Sequence, residues 1–451
     1  MPLLNQLKKL ITCPAHPRND YIISRYTYEN IYSIAATFQQ QFFLPDIKES
    51  ICLCINDRGI MAGALLAALT RPVTLVIPYS FSETVLADMH RAHPFSKAIV
   101  QAPIPLPQGV EAVFPDQNDI GKYKLDGTFI RNPDEVFVKL FTGGSTSTPR
   151  TWSKTIRNLF SEAIHQAANL CASPSDRFAA TVPAYHIYGL LFSVLTPFVA
   201  SSSVIDDELV YPYEIQNVVS QNQASVLVSI PLHYKLMADM ALQTQSLRIA
   251  LSSAARLDAA DSRAFYQKTG LGITEIFGST ETGGIASRLC TETQPHFTPF
   301  DCIDWKLADN RLAIRSRFIS PELPTDPEGF FITNDQANPV GPAGFELTGR
   351  VDRIVKIAGN RVDLDEIRSA LTNMPDVKDA VVICTPGDSG RGNEISALVA
   401  TTATSQEIRH YLQHRIQACA IPRRIKIVDT IPISAAGKYK NTEIKKILKS
   451  L

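Results

Sequence analysis

Short apolar runs alternate with amphipathic segments along most of the chain. Residues 51–56 (ICLCIN) and 72–79 (PVTLVIPY) predict strands, and residues 60–70 between them (IMAGALLAALT) predict a helix. The same alternation resumes at residues 155–171 and continues to residue 253. Strands separated by helices favour parallel pairing, because the chain has to cross back over the sheet before the next strand begins. The N-terminal part is therefore expected to form mostly parallel sheets covered by helices.

A second, shorter series of elements begins near residue 350. Two helical patterns, at residues 364–374 and 405–418, alternate with apolar runs typical of strands. Between the two series, residues 290–348 are more strand-like and are punctuated by proline and glycine, with a hairpin expected around Asp309. We therefore predict an α/β protein with a large N-terminal domain of helix-covered, mostly parallel sheets (residues 1–349) and a small α+β C-terminal domain (residues 350–451).

The charge balance and the cysteines limit which partners and which cellular compartment are expected. The 451 residues include 44 basic and 44 acidic side chains, so no net field attracts nucleic acid or an anionic membrane. The eight cysteines show neither a zinc-site spacing nor a disulfide framework, which favours a reducing compartment. The N-terminal segment is amphipathic and unlike a signal peptide, and no apolar run reaches the length of about 18 residues that a membrane helix needs. We expect a cytoplasmic protein.

The segment FTGGSTSTPR, residues 141–150, contains seven consecutive Gly, Ser or Thr residues. It follows a predicted strand and precedes a helical pattern that begins around Lys154. Small residues let backbone N–H groups converge on phosphate oxygens, the hydroxyl groups add donors, and Arg150 adds charge. The Gly-Lys-Ser/Thr ending of a Walker loop is missing, which disfavours a nucleotide-hydrolase P-loop. Taken alone, the segment is equally well explained as a linker or a turn.

Three later segments have the same character of polar loops next to predicted strands. Residues 275–284 (EIFGSTETGG) place Glu281 where a carboxylate could bind Mg²⁺, although a solvated turn explains it as well. Residues 347–367 (LTGRVDRIVKIAGNRVDLDEI) are rich in charge, as an ordinary surface loop can be. Residues 432–444 (PISAAGKYKNTEI) present Lys438 after a glycine, which alone indicates no more than a basic tail.

Together, in this order, the four segments resemble the motifs of the adenylate-forming superfamily, which includes acyl-CoA synthetases, aryl-acid ligases, luciferases and the adenylation domains of peptide synthetases. The family pattern T-S-G-S-T-G-x-P-K corresponds to residues 142–150, and Y-G-x-T-E corresponds to residues 277–281. The pattern G-R-x-D-x-x-x-K-x-x-G-x-R is complete at residues 349–361, and P-x-S-x-x-G-K is complete at residues 432–438. The resemblance extends from about residue 50 to the C-terminus.

The resemblance implies a set of residues that bind ATP and Mg²⁺. The phosphates would lie along Thr142, Gly143, Gly144, Ser145 and Thr146, with Arg150 in place of the usual lysine. After Phe277 and Gly278, Thr280 would contact the α-phosphate and Glu281 would bind Mg²⁺. Asp335 and Arg350 would bind the ribose. Ser147 and Asn334 each replace a family glycine. Ser147 lies in the predicted phosphate segment, and Asn334 precedes the predicted ribose carboxylate.

The resemblance also implies an acyl site and a mobile domain. Ser253 and Ala254, in SSAARL, would flank the adenine and the acyl pocket, and His186, in PAYHIYG, would close that pocket. A packed core histidine is the alternative for His186. In the C-terminal part, Lys438 would contact the carboxylate and the α-phosphate, Asp352 would be the hinge, and Lys356 and Gly359 would serve thiol transfer after the small domain rotates.

The implied reaction is ATP-dependent activation of a carboxylic acid as an acyl adenylate, followed by transfer to a phosphopantetheine thiol of CoA or acyl carrier protein. Residues 183–189 contain no carboxylate to pair with an α-ammonium group, so we expect an aryl or acyl acid that lacks an α-amine. The short chain is similar to stand-alone ligases of aryl-polyene-type pathways. Basic residues at 415, 423, 424 and 426 would suit an acidic carrier protein, and a solvated basic face explains them equally. A non-catalytic acyl- or nucleotide-binding protein and a ligase with a non-thiol acceptor stay open as alternatives.

Overall fold

The chain forms two compact units. The computed structural model describes residues 2–115, 120–142, 150–207, 209, 211–238, 240, 244–341, 344–357, 360–386, 393–434 and 437–449. The first unit comprises Met1–Asp304 and Arg315–Pro324, and the second comprises Trp305–Ile314 and Thr325–Leu451. The predicted domain boundary between residues 349 and 350 stays a prediction.

Helices and strands alternate along the described residues as follows. The helices are α1 (Leu3–Thr12), α2 (Tyr28–Gln41), α3 (Arg58–Ala68), α4 (Glu83–Ala92), α5 (Ile156–Asn169), α6 (Ile187–Gly189), α7 (Thr196–Ala200), α8 (Pro212–Gln221), α9 (Pro231–Ala238), α10 (Ala259–Thr269), α11 (Leu364–Thr372), α12 (Ser405–Gln413) and α13 (Asn441–Lys449). A π-helical segment spans Leu190–Leu195, and 3₁₀ turns span Val351–Arg353 and Ala418–Ala420. Within the described ranges, none of the helices combines the length and the hydrophobicity needed to cross a membrane.

The strands lie in several sheets. They are β1 (Asp20–Ile22), β2 (Tyr26–Thr27), β3 (Glu49–Cys54), β4 (Val73–Ile77), β5 (Lys97–Val100), β6 (Glu111–Val113), β7 (Val136–Thr142), β8 (Arg150–Thr155), β9 (Arg177–Ala180), β10 (Ser203–Ile205), β11 (Val226–Ser229), β12 (Ile249–Ser252), β13 (Ile273–Ser279), β14 (Gly283–Cys290), β15 (Thr298–Pro299), β16 (Asp304–Ala308), β17 (Arg311–Arg315), β18 (Phe331–Val340), β19 (Gly344–Arg350), β20 (Ile354–Ile357), β21 (Asn360–Asp363), β22 (Val377–Pro386), β23 (Asn393–Thr401) and β24 (Arg424–Val428).

Two mostly parallel sheets build the first unit. Over the described residues, one sheet has the order β6-β5-β3-β4-β7-β8, parallel except for the last pair. The other has the order β15-β14-β13-β12-β11-β9-β10-β1-β2, and it is parallel from β13 to β1. The central strands are apolar because helices cover both faces of a parallel sheet. The predicted N-terminal architecture is confirmed.

Helix α3 shows how tightly the first unit packs. All its residues are buried, as expected of the continuous apolar sequence RGIMAGALLAA. At Gly63 an added Cβ would lie 2.4 Å from Cγ2 of Ile34 in α2, so the glycine permits close contact between the two helices. Asp57 caps the start of α3 by accepting a hydrogen bond from the Ile60 N–H.

The second unit is a mixture of antiparallel sheets and helices. The sheet β16-β17-β18-β19 contains the hairpin predicted around Asp309, where Asp309 and Asn310 have positive φ angles of 51° and 58°. Strands β22 and β23 are antiparallel, and β24 adds in parallel to β23. Helices α11 and α12 contribute Ile367 and Ile408 to a core shared with this sheet. The α+β character predicted for the C-terminal part is confirmed.

Candidate active site

The glycine- and hydroxyl-rich segment joins two paired strands of one sheet. Thr142 ends β7 and Arg150 begins β8, and the two residues are opposite each other in the antiparallel pair. The segment therefore connects two paired strands of the same sheet and is not a linker between domains. Gly143, Gly144, Ser145 and Thr146 lie outside the described residues, so their predicted contacts with phosphate stay predictions.

The helix expected around Lys154 begins later than predicted. Residues Arg150–Thr155 form strand β8, and helix α5 begins at Ile156 after a capping box in which Thr155 and Asn158 exchange hydrogen bonds. The side chains of Thr155 and Asn158 satisfy backbone N–H groups at the start of the helix, and this fixes where it begins. Helix α5 therefore begins two residues after Lys154, close to the predicted start.

A second tight turn carries Thr280 and Glu281. It joins β13 to β14 and is closed by hydrogen bonds between Ser279 and Thr282: the Ser279 N–H donates to Thr282 Oγ1 at 3.1 Å, and the Thr282 N–H donates to Ser279 Oγ at 3.2 Å. At Gly278 an added Cβ would lie 2.3 Å from a backbone carbonyl oxygen of the facing strand, so glycine is required there. Thr280 is buried and Glu281 is half-buried, as suits a short loop shaped to place two side chains.

Three candidate residues follow the carboxyl ends of strands in the same parallel sheet. His186 follows β9, Ser253 follows β12 and Thr280 follows β13, and these strands run in the same direction within the order β13-β12-β11-β9. The carboxyl ends of parallel strands share one edge, where ligands of open α/β sheets bind. The Ser253 hydroxyl donates to the Ile276 carbonyl at 2.9 Å, and Ala254 has a positive φ of 73°. The structure therefore brings His186, Ser253 and Thr280 to one edge of this sheet.

The segment that carries His186 is folded back on itself and is rich in rings. An added Cβ at Gly189 would lie 2.0 Å from the Pro183 carbonyl oxygen, so the glycine permits the reversal of the chain. The His186 ring centroid lies 4.8 Å from that of Tyr185, which in turn lies 4.7 Å from the ring of Phe81. Together these three rings form an aromatic cluster beside the sheet edge.

In the second unit, Asp335, Arg350 and Asp352 form one ionic cluster. Nη1 of Arg350 lies 2.9 Å from Oδ1 of Asp335, while Nε and Nη2 bind the two carboxylate oxygens of Asp352 at 2.9 and 2.8 Å. The hydrogen bond to Asp352 is the main cause that raises the pKa of Arg350, and the Arg350 hydrogen bond lowers the pKa of Asp352. The predicted ribose-binding residues and the predicted hinge residue are therefore in contact.

The two lysines predicted for catalysis lie in different parts of the second unit. Lys356 is in strand β20, and its side chain is outside the described set, as is Gly359. Lys438 is exposed at a tight turn, where the Ser434 N–H donates to its carbonyl oxygen at 2.7 Å. The next residue, Tyr439, donates to Asp379 at 2.7 Å and accepts from Arg368 at 2.8 Å. This anchor fixes the backbone that presents Lys438.

Two charged residues of the first unit were missed from the sequence. Lys154 and Glu162 are each 1% exposed and lie beneath the turn that carries Glu281. Burial lowers the pKa of Lys154 to about 8, while the charges of Glu162, Glu281 and Glu322 act in the opposite direction. Burial raises the pKa of Glu162 to about 7, against the effects of the Lys154 charge and a backbone N–H. The groups that Lys154 and Glu162 bind belong to residues 281, 284 and 318, which are distant in sequence, so no local pattern indicates either residue.

Magnesium and ATP fit the residues present in the first unit. The Glu281 carboxylate supplies an oxygen of the kind Mg²⁺ prefers. The turn packs closely against neighbouring atoms at Gly278 and Gly283, where a side chain would clash. The hydroxyl of Thr280 and the strand-end residues Thr142 and Arg150 are hydrogen-bond donors of the kind that phosphate oxygens accept from.

Comparison with known proteins identifies the class. The family model described as AMP-binding enzyme matches residues 66–323, and the model of the AMP-binding enzyme C-terminal domain matches residues 366–438. The chain belongs to the AMP-binding enzyme family, so the resemblance seen in its motifs is confirmed. Several curated relatives are named as CoA ligases.

Individual relatives and solved structures are similar at low identity. The sulfoacetate–CoA ligase of Cupriavidus necator is 23% identical, over 69% of this chain and 67% of that protein. The 4-coumarate–CoA ligase of Rhodobacter capsulatus is 24% identical, over 66% of this chain and 74% of that protein. ATP-bound MatB from Rhodopseudomonas palustris superimposes with a TM-score of 0.83 at 18% identity, covering 99% of both chains. O-succinylbenzoate coenzyme A synthetase from Bacillus subtilis, in complex with AMP, superimposes with a TM-score of 0.81 at 15% identity, covering 98% of both chains. These structures confirm the fold.

Proposed function

We propose that the protein is an AMP-forming acid–thiol ligase. A carboxylate oxygen of the substrate attacks the α-phosphorus of ATP, the bond to the β,γ-diphosphate breaks, and pyrophosphate leaves. A thiolate then attacks the acyl carbon, the carbon–oxygen bond to AMP breaks, and AMP leaves with the electron pair. The observation that supports this most is the Thr280–Glu281 turn at the carboxyl edge of the parallel sheet, in a chain whose family is defined by AMP binding.

The residues of this chain suit the charges that the first step creates. A carboxylate and a triphosphate are both anions, so their approach needs donors and cations more than a base, because the nucleophile is already ionised at pH 7. In the proposal, Thr280 donates to the α-phosphate, Arg150 and Lys438 offset negative charge, and Asp335 binds the ribose hydroxyls. Magnesium, when bound through Glu281, neutralises part of the phosphate charge.

Thiol transfer is proposed to follow a rotation of the C-terminal domain about Asp352. That residue lies in the 3₁₀ turn Val351–Arg353, between the strands β19 and β20. A short turn between strands is a suitable hinge, because few dihedral angles have to change. Lys356 and Gly359 would then serve the second half-reaction in place of Lys438, with the glycine leaving room for a pantetheine arm.

An aromatic acid without an α-amine is the proposed substrate class. The cluster of Phe81, Tyr185 and His186 supplies ring faces beside the sheet edge, and aromatic rings pack favourably with one another. The segment 183–189 contains no carboxylate that could pair with an α-ammonium group. The relatives are named for both sulfoacetate and 4-coumarate, so they do not decide between aliphatic and aromatic acids.

Coenzyme A is the acceptor named for the relatives, and a carrier protein presents the same phosphopantetheine thiol. The basic residues considered for carrier docking are partly engaged within the second unit: Arg423 pairs with Glu394 at 2.6 Å, and Lys426 donates to the Ile447 carbonyl at 3.0 Å. Arg423 is still 74% exposed on its side chain, which leaves it available to an acidic partner. A cytoplasmic location is proposed along with these partners.

The test is a panel of aryl, aryl-acryl and fatty acids, with acid-dependent exchange of pyrophosphate into ATP as the readout. Exchange with at least one acid supports adenylation, and mass spectrometry of CoA, apo- and holo-carrier protein and simple amines, offered in parallel, identifies the acceptor. ATP binding without exchange across the panel would overturn the proposal and favour the non-catalytic alternative. Acyl amide products without thioesters would favour a non-thiol acceptor.

A further inference from the structure

Lys154 carries a buried ammonium group that holds the turn of Glu281 from beneath. Its side chain donates to the carbonyl oxygen of Glu281 at 3.2 Å and to that of Phe318 at 2.9 Å. The Glu281 carbonyl also accepts from the Ser320 N–H at 2.8 Å. A cation that binds carbonyl groups in a buried setting makes stronger hydrogen bonds than a neutral donor would, and it is costly to leave unpartnered.

Glu162 holds the other end of the same turn. Its Oε1 accepts from the Gly284 N–H at 2.7 Å, and an added Cβ at Gly283 would lie only 2.5 Å from its Oε2. Gly283 has a positive φ of 70°, so its backbone is adapted to this close approach. The carboxylate therefore packs directly against the backbone where β14 begins.

A third polar side chain completes this buried layer. Gln166 is fully buried one helical turn beyond Glu162 in α5, and its amide nitrogen lies 3.4 Å from the position of an added Cβ at Gly284. Neither polar atom of its side chain has a hydrogen-bond partner among the described residues. Buried polar groups of this kind lower the stability of the fold. A layer of them under one turn is therefore better explained by the function of that turn than by stability.

Lys154 connects two segments of the proposed nucleotide site: the strand that begins at Arg150 and the turn that carries Thr280 and Glu281. It lies in β8, four residues after Arg150, in the strand that leaves the glycine- and hydroxyl-rich segment. Its ammonium group is bound to the turn that carries Thr280 and Glu281. A displacement of either the strand or the turn is therefore transmitted to the other through the Lys154 side chain.

We propose that Lys154 and Glu162 are positioning residues for magnesium and ATP: they fix the turn Ser279–Gly284 at both ends and hold it in register with strand β8. This inference rests on the proposed function of that turn. Neither residue needs to touch the substrate; both act through Thr280 and Glu281.

The experiment compares two variants with a matched control. Lys154→Met keeps the length of the side chain and removes its donors, while Glu162→Gln keeps the shape and the acceptor but removes the charge. Arg131→Met is the control, because Arg131 is also buried and donates to main-chain carbonyls, those of Ala68, Arg71 and Val73, away from the turn. All three are expected to lower the melting temperature, so stability alone does not separate them.

The separating readouts are the magnesium titration and the ATP KM in pyrophosphate exchange. We expect Lys154→Met to raise the magnesium concentration for half-maximal rate and the ATP KM by about tenfold each, as loss of residues that orient a metal ligand does. Glu162→Gln should show a smaller shift in the same direction, and Arg131→Met none. Folded Lys154→Met and Glu162→Gln proteins with wild-type values would overturn the inference. If Lys154→Met does not fold, Glu162→Gln decides.

Failure of the proposed function is distinguishable from failure of this inference. If the wild-type protein shows no exchange with any acid, the function is wrong, and calorimetric binding of ATP with and without Mg²⁺ then tests the positioning pair. In that assay the inference requires that Mg²⁺-dependent tightening of ATP binding be weaker in both variants than in Arg131→Met. Equal tightening in all three would overturn it.

Discussion

Asp335 and Arg350 face each other across the antiparallel strands β18 and β19, and their side chains form an ion pair of 2.9 Å. The same guanidinium group binds both carboxylate oxygens of Asp352, which follows Arg350 by two residues. One cation thus joins the carboxylate predicted to bind ribose to the carboxylate predicted to lie at the hinge. Binding of the nucleotide and rotation of the domain are expected to be coupled through Arg350.

Replacing Asp335 with asparagine should weaken ATP binding. The neutral amide accepts weaker hydrogen bonds from ribose hydroxyls and no longer pairs with Arg350, so we expect kcat/KM for ATP to fall by about 10- to 100-fold. The measurement is pyrophosphate exchange at varied ATP with saturating acid. Asp304→Asn is the control, because Asp304 also pairs with an arginine, at 3.0 Å, outside the site. An unchanged ATP KM in Asp335→Asn would show that Asp335 does not bind the ribose.

Lys438 and Lys440 provide a matched pair of exposed lysines in the same segment. Lys438→Ala should lower the rate of adenylation by about 10²- to 10³-fold, because it removes a cation from the place where charge builds on the α-phosphate. Lys440→Ala should leave adenylation within about twofold, since among the described residues the Lys440 ammonium group pairs with the exposed Glu443 at 3.1 Å. Acid-dependent pyrophosphate exchange measures both. Equal rates for the two variants would contradict the role of Lys438.

Much of the fold could be predicted from the sequence because apolar periodicity and turn residues are local signals. The hairpin at Asp309 was predicted from its turn residues, and both Asp309 and Asn310 adopt the positive φ that such a turn requires. The strand β8 was missed because residues 150–155 are polar apart from Trp152, so their sequence has no apolar run. Strand pairing with β7, a tertiary contact, decides their conformation.

The site was predictable only where family motifs place its residues. Asp335 and Arg350 are distant in sequence, and register between β18 and β19 brings them together. Lys154 and Glu162 belong to no motif that the sequence revealed. Their burial depends on carbonyl and N–H groups supplied by residues 281–284 and 318, which no local pattern indicates.

Glu281→Gln should make the enzyme more dependent on magnesium. The amide keeps the shape of the side chain but loses the negative charge that Mg²⁺ prefers in its ligands, so half-maximal exchange should need at least about tenfold more Mg²⁺. Titration of Mg²⁺ at constant ATP measures this shift. Glu292→Gln, an exposed carboxylate outside the turn, is the control. If both variants titrate like the wild type, Glu281 is not a magnesium ligand.

Buried His233 should make the folded protein less stable as the pH falls below neutral. Its Nδ1 lies 2.9 Å from the Thr181 hydroxyl and 3.2 Å from that of Ser229, and burial lowers its pKa from 6.5 to about 4. Between these values the unfolded chain binds a proton that the folded chain does not. The free energy of unfolding therefore decreases with falling pH, by up to about 3 kcal/mol for this group.

A non-titrating side chain at position 233 isolates this contribution. Glutamine retains a polar group for Thr181 and Ser229, so His233→Gln should lower stability at pH 7.5 but flatten its loss between pH 6.5 and pH 4.5. Chemical denaturation at each pH gives the slopes, with His296→Gln, an exposed histidine, as the control. The control should keep the wild-type slope, because His296 is exposed and lies outside the buried cluster of His233, Thr181 and Ser229. A wild-type slope in His233→Gln would mean that other groups set the acid sensitivity.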